Sequence, residues 1–305
     1  MGQWQCNGDT TRTDRLSPRL ASNSGGVMSF SSEVLEIEID GHVATLWLDR
    51  PEARNALGRA VFEDLPRAAE ALASNSDIRV VVLAARGPHF TVGLDLKEMG
   101  ASLAGGDAGG ERKSPATRNA TSYKMIRRMQ DAVTSLAALP MPVIAAVHGY
   151  CIGGGVDLIC AADIRLASSD AVFSVREAKV AIVADLGTLQ RLPKIVSAGH
   201  VAELAYTGKD ISAARAAQIN LVNEVVDGSV DEVVAAAREL AREIAANSPL
   251  AVQGTKAVLA ANDGATVDQG LDFVARWNVA YLQSNDLTEA MVAFLERRTP
   301  NFLGD

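Results

Sequence analysis

Aromatic residues make up only 5% of this chain, cysteine occurs three times and histidine four times, and each scarcity removes a class of function. Cys6, Cys151 and Cys160 are too few and too irregularly spaced for a disulfide framework or a metal-ligand set, which points to a reducing compartment and a site without metal. The histidines are scattered and form no HExxH pattern. No apolar run approaches the roughly 18 residues of a membrane-spanning helix, and there is no long Lys/Arg run. With a net charge of −8 and a pI near 5.1, neither a nucleic-acid surface nor a basic membrane-lying helix is expected. A soluble, cytoplasmic chain is the expectation. GxGxxG, GK[ST] and GxSxG are also missing, so dinucleotide, P-loop and serine-elbow readings are poor.

What the chain does have is apolar content, 48% of 305 residues, ample for a large core. Residues 1–30 form a polar extension expected to be disordered. Within it Met28 is an alternative start, the apolar core of a secretory signal is missing, and Asp9 and Asp14 weaken a transit-peptide reading. The ordered part opens with alternation over Val34 to Ile39, an Asp40-Gly41 turn and a second strand from His42 to Leu48, a strong hairpin signal. A helix over Leu57 to Ser74, buried strands at Val80 to Ala84 and Val143 to Val147, an intervening helix over Ser122 to Leu139, and strands near 163–167 and 171–175 imply an α/β core. Beyond Ser197 nearly every segment has helical spacing, with helices near 230–246, 249–261, 266–283 and 286–296 and one strand at Leu221 to Val226. Trp277, Tyr281, Phe294 and Leu295 are expected to face the core, with another subunit as the alternative. The stretch from Gly100 to Asn119, with Gly105, Gly106, Gly109 and Gly110, reads as a mobile loop.

Two glycine turns carry the chemistry. CIGGGVD, after the Val143 strand, should open a helix near Gly154 whose free N–H groups could receive an anion or oxyanion, although tight packing alone would also explain the glycines. HFTVGLDLK, after the Val80 strand, could supply a second donor. No nucleophile accompanies them, and Cys151 has no evident base, so proton transfer is favoured over covalent acyl transfer. Asp157, Glu177 and Asp185 lie close together in an apolar stretch, where a carboxyl group acquires the raised pKa that acid/base work near neutrality needs. Each has a plain alternative. Asp157 could be a helix-start charge, Glu177 could pair with Arg176 or Lys179 on a solvated face, and Asp185 could cap a helix over Leu186 to Ile195. His148 reads as a packed strand-end residue, and Cys151 and Cys160 as small apolar fillers.

RPEARNAL (51–58), HFTVGLDLKEM (89–99), PVIAAVHGYCIGGGVDL (142–158) and VREAKVAIVADLGTLQRLP (175–193), in this order, resemble the enoyl-CoA hydratase/isomerase, or crotonase, family over roughly Val34 to Phe302. The resemblance implies a spiral of ββα units over 31–196 and a helical, oligomerising region over 197–305, assembled as trimers or dimers of trimers. It also implies an oxyanion hole formed by the N–H groups of Leu94 and Gly154. Coenzyme A, as part of an acyl-CoA substrate and with no separate cofactor, would meet Ala53, Arg54, Gly93, Asp95, Leu96, Lys97 and Gly155. Hydratases carry two glutamates and a glycine where this chain has Asp157, Glu177 and Asp185. That departure resembles the Δ3,5-Δ2,4-dienoyl-CoA isomerases, implying Glu177 as base, Asp185 as acid and Asp157 as a tuning group whose charge the helix dipole favours. The alternatives are an enoyl-CoA hydratase, a non-catalytic acyl-CoA binder and, most weakly, a nucleic-acid-binding relative.

Overall fold

The computed structural model describes residues 30–103 and 114–305. The extension up to residue 29 and the glycines at 105, 106, 109 and 110 lie outside the described residues. The hairpin forms where the alternation places it. Strands β1 (Leu35–Asp40) and β2 (Val43–Leu48) pair antiparallel, and Gly41 takes the left-handed backbone (φ 58°) of a tight turn. Helix α1 (Arg59–Ala73) buries Val61, Leu65, Ala68 and Leu72 along one stripe. Strand β3 (Val80–Ala85), helix α2 (Leu96–Leu103) and helix α3 (Pro115–Ala137) follow. The expected Gly100 to Asn119 loop is therefore shorter at both ends. Residues 100–103 continue α2, and Ser114 starts α3 early because its Oγ accepts the Thr117 N–H at 3.2 Å and Pro115 sits where a missing N–H costs nothing.

The chain continues through β4 (Val143–Val147), β5 (Tyr150–Ile152), α4 (Gly154–Cys160), β6 (Ile164–Ser168), β7 (Val172–Ser174) and α5 (Thr188–Arg191). The helix expected over Leu186 to Ile195 breaks at Pro193 into α5 and a 3-10 turn, since proline cannot donate. Next come α6 (Ala198–Thr207), β8 (Ile211–Ser212), α7 (Ala213–Gln218) and β9 (Glu224–Val226), the last shorter than expected. Helices α8 (Val230–Ala245), α9 (Pro249–Ala261), α10 (Val267–Tyr281) and α11 (Asn285–Glu296) complete the chain.

A six-stranded sheet of order β1-β2-β3-β4-β6-β9 is parallel except for the opening hairpin. After β3, β4 and β6 the chain turns into a second, smaller layer. There Leu57 bridges Leu94, Thr91 bridges Cys151, and Tyr150 pairs with Val172, so successive turns stack in parallel. This is the ββα spiral. Strand β3 is buried on both faces: Val81 and Leu83 enter the main core, while Val80 and Val82 meet Val233, Val234, Ala237 and Ala241 of α8. Each such valine stabilises by roughly 1.5–3 kcal/mol on burial, and both faces being covered explains its unbroken apolar run.

The C-terminal aromatics do not join the core. Phe294 and Leu295 are 79% and 78% exposed. Tyr281 is exposed too, stacked at 4.7 Å on Trp277, which in turn closes over Gly254 of α9. The helices α10 and α11 carry large apolar residues on their exposed faces, among them Leu271, Val279, Met291 and Phe294.

Candidate active site

The site is assembled by two turns held side by side. Asn55, buried, accepts the Arg50 N–H at 2.8 Å and donates to the carbonyls of Arg86 (2.8 Å) and His89 (2.9 Å). It thereby pins the loop carrying Ala53 and Arg54 to the segment after β3. Arg54 and Asn55 both adopt left-handed backbone, φ 52° and 53°, a strain these hydrogen bonds hold in place. Thr91 Oγ1 donates to the Asn55 carbonyl at 2.5 Å and accepts the Gly93 N–H at 3.1 Å. Asn55 and Thr91 are buried polar residues that sequence reasoning passed over; two polar residues flanked by apolar runs were the available signal.

The parallel bridge between Thr91 and Cys151 sets the two turns side by side, and a Cβ built on Gly93 would stand 3.6 Å from the Gly154 nitrogen. Gly93 (φ 86°) makes that approach possible, since a Cβ there would stand 2.7 Å from the Ile152 carbonyl oxygen. The N–H groups of Leu94 and Gly154 find no acceptor among the described residues, Leu94 because its neighbours Gly93 and Asp95 make the bonds to Leu57 and Gly154 because it opens α4. Gly155 lies behind them, and what the structure shows there is packing: its Cβ position is 2.5 Å from Thr91 Cγ2. Arg54, Leu96 and Lys97 are exposed and Ala53 is half-buried at the rim. Asp95 is committed to the scaffold, capping α2 through the N–H groups of Lys97 and Glu98 and pairing with Arg50 at 3.1 Å. The Glu98 N–H, against some desolvation, and the Arg50 charge hold its carboxyl below the usual range.

The three acids converge beside this point. Asp157, 1% exposed, sits in the first turn of α4 and accepts the Thr188 N–H at 2.5 Å, so that it caps α5 from 31 residues away. Burial raises its pKa to about 6 in spite of that bond, with the Asp185 charge adding and Arg191 opposing. Where its place at a helix start leads to an expectation of the ionised form, desolvation favours the protonated one. Glu177 opens a 3-10 turn after β7, its carboxyl lying against Gly153 (φ 53°), where a Cβ would stand 3.3 Å from Oε1. Burial raises its pKa to about 7, with its own amide opposing and repulsion from Asp157 and Asp185 adding. Its Oε2 is buried without a hydrogen-bond partner among the described residues. The surface pairing weighed for it does not occur: Arg176 pairs with Asp210, and Lys179 packs over Gly208.

Asp185 is half-buried, and desolvation raises its pKa as well. It caps no helix; Gly187 precedes α5 and no local side chain caps it. Instead the Asp185 carbonyl accepts Gln130 Nε2 of α3 at 2.6 Å. Arg191, the nearby cation, donates to Thr134 Oγ1 at 2.8 Å and to the Leu186 carbonyl at 3.4 Å. Gln130, Thr188 and Arg191 were not singled out from sequence; contacts across 55 and 31 residues leave no local trace. His148 is buried with Nε2 on the Gly87 carbonyl at 2.9 Å, a packed strand-end residue as read. Burial pushes Cys160 to about 12 and Cys151 well above its ordinary value, which leaves neither as a nucleophile.

Two N–H groups unengaged among the described residues, beside carboxyls whose affinity for protons is raised, can polarise a carbonyl and move protons next to it. The enoyl-CoA hydratase/isomerase family model matches residues 38–305. The chain is 44% identical over 274 residues to the peroxisomal Δ(3,5)-Δ(2,4)-dienoyl-CoA isomerase of Arabidopsis thaliana, covering 88% of this chain and 96% of that protein. It is 45% identical over 260 residues to the mitochondrial enzyme of that name from Dictyostelium discoideum, covering 85% and 87%. A crystal structure of an enoyl-CoA hydratase from Bacillus anthracis superimposes with a TM-score of 0.79 at 30% identity, covering 90% of this chain and all of that one.

Proposed function

The chain belongs to the enoyl-CoA hydratase/isomerase family, and from that premise we propose that it isomerises 3,5-dienoyl-CoA to 2,4-dienoyl-CoA. The observation that carries the reading is Asp185 beside Glu177, two carboxyl groups with raised affinity for protons on one site. Ionised Glu177 takes a proton from C2 of the acyl chain. The electrons move through the diene onto the thioester oxygen, which the N–H groups of Leu94 and Gly154 hold as a dienolate, each worth about 3 kcal/mol to the transition state. Protonated Asp185 then delivers its proton at C6, and the double bonds come to rest at C2 and C4. One proton leaves and one arrives, so no water is consumed. Glu177 ends protonated and Asp185 ionised, and the proton must return before the next turnover; mutual repulsion between the two carboxylates favours keeping one proton between them. Asp157 tunes Glu177 through its charge.

Coenzyme A enters as part of the substrate, with Arg54 or Lys97, both exposed, to meet its phosphates, and the scheme uses no separate cofactor. The exposed apolar faces of α10 and α11 support assembly into trimers or dimers of trimers. As to location, the two relatives' names give peroxisome and mitochondrion, so the cytoplasmic expectation rests on composition alone and cell fractionation decides it.

The test is a side-by-side assay. With 3,5-dienoyl-CoA the conjugated 2,4-dienoyl absorbance should grow, and Asp185→Asn should lose at least about 100-fold in rate. Loss of conjugation from a 2-enoyl-CoA, with no product from the diene, would establish the hydratase instead.

A further inference from the structure

Resting on that reading, we propose that Gln130 is a positioning residue for the proton delivered by Asp185, acting through the backbone of the acid rather than on the substrate. The Asp185 carboxyl makes no hydrogen bond to another side chain among the described residues; its aim therefore follows from its own backbone. Gln130 Nε2 holds the Asp185 carbonyl at 2.6 Å, which fixes the peptide plane leaving the acid. Arg127 Nη1 donates to Gln130 Oε1, also at 2.6 Å. Arginine can only donate, so this contact orients the amide and presents its NH2 to the Asp185 carbonyl. One turn further along the same face, Thr134 accepts from Arg191, whose other nitrogen reaches the Leu186 carbonyl. Two successive carbonyls are thus referred to α3, and α3 is itself seated in the core through Met129, Ala132, Val133 and Leu136.

Glu177 is mounted elsewhere, on the turn after β7 and against Gly153. Base and acid thus have separate supports, and releasing one leaves the other in place. Loss of the Gln130 amide should impair delivery at C6 while removal of the C2 proton continues. A carboxyl displaced by about 1 Å can cost up to roughly 100-fold in rate.

The experiment is isomerisation of 3,5-dienoyl-CoA in deuterium oxide by wild type, Gln130→Met and Arg127→Ala, following product formation and deuterium at C2 of recovered substrate. Gln130→Met should lower kcat by about 10- to 100-fold with KM within about twofold, and should raise C2 deuterium per turnover, because the dienolate returns more often than it goes forward. Arg127→Ala, at an exposed position that leaves folding intact, should show the same signature more weakly. Asp185→Asn should share it, and Glu177→Gln should lose product and exchange together. The proposal is overturned if Gln130→Met matches wild type, or if exchange and product formation fall in step, as a general loosening would produce. Should Gln130→Met not fold, unchanged partitioning in Arg127→Ala overturns it equally. A wild type that forms no 2,4-diene removes the isomerase reading and this proposal with it, whereas an active wild type with an unaltered variant removes the proposal alone.

Discussion

Glu177 combines two properties that conflict: it is buried enough to hold a proton up to about pH 7, and it must be ionised to act. A carboxyl group whose folded pKa lies above its ordinary 4.5 adds stability that is fully present below that value and is lost as pH rises toward 7. Glu177→Gln should therefore abolish isomerisation and yet, above pH 7, raise the unfolding free energy by on the order of 1–3 kcal/mol, seen as a higher urea midpoint, with the difference vanishing near pH 4. A denaturation series across pH checks this, and equal midpoints at pH 8 would contradict it. Asp157 offers a second test. An asparagine there still accepts the Thr188 N–H but carries no charge, so the repulsion that helps raise Glu177 disappears. In Asp157→Asn the rising limb of kcat/KM, where the pair loses its first proton, should move to lower pH. A limb that stays put would confine Asp157 to capping α5.

At the level of elements, the oxyanion-hole donors depend on how closely α4 approaches the segment from Phe90 to Leu94. Gly155→Ala puts a methyl group 2.5 Å from Thr91 Cγ2 and 3.2 Å from Cys151 Sγ, and Thr91 cannot turn away without giving up its bond to Asn55. The helix must shift, which separates the N–H groups of Leu94 and Gly154. The expected outcome is roughly a 10- to 100-fold loss of kcat with a stability cost of about 1–3 kcal/mol, read by kinetics and thermal melting. The elements themselves were largely legible beforehand. The hairpin, β3, β4 and α4 follow from alternation, β-branched runs and glycine turns, all of them short-range signals. The loop over Gly100 to Asn119 is shorter than its glycine content suggests because Ser114 and Pro115 start α3, and the helix expected over Leu186 to Ile195 is interrupted because Pro193 cannot donate.

Across the whole molecule, apolar residues on α10 and α11, among them Val279, Phe294 and Leu295, meet solvent in the single chain. A monomer seldom leaves so many large apolar groups in the open, and the exposed faces of these helices are suited to a second copy. Sedimentation should give a trimer or hexamer, and Phe294→Asp with Leu295→Asp should shift it toward monomer while leaving the core spiral folded; a monomeric wild type would contradict the assembly. Taken alone, the sequence determined an α/β core from turn chemistry and periodicity, and the family, with the spiral that the resemblance implies, from motif order; it also marked three acids in an apolar stretch, because all of these signals are written in adjacent residues. Only the tertiary structure decided that burial raises the proton affinity of Asp157, that Glu177 Oε2 has no hydrogen-bond partner among the described residues, that the turns carrying Leu94 and Gly154 lie side by side with those two N–H groups unengaged among the described residues, and that α3 holds the Asp185 carbonyl through Gln130. Those properties depend on desolvation and on contacts between residues far apart in the chain, quantities that exist only once the chain has closed on itself.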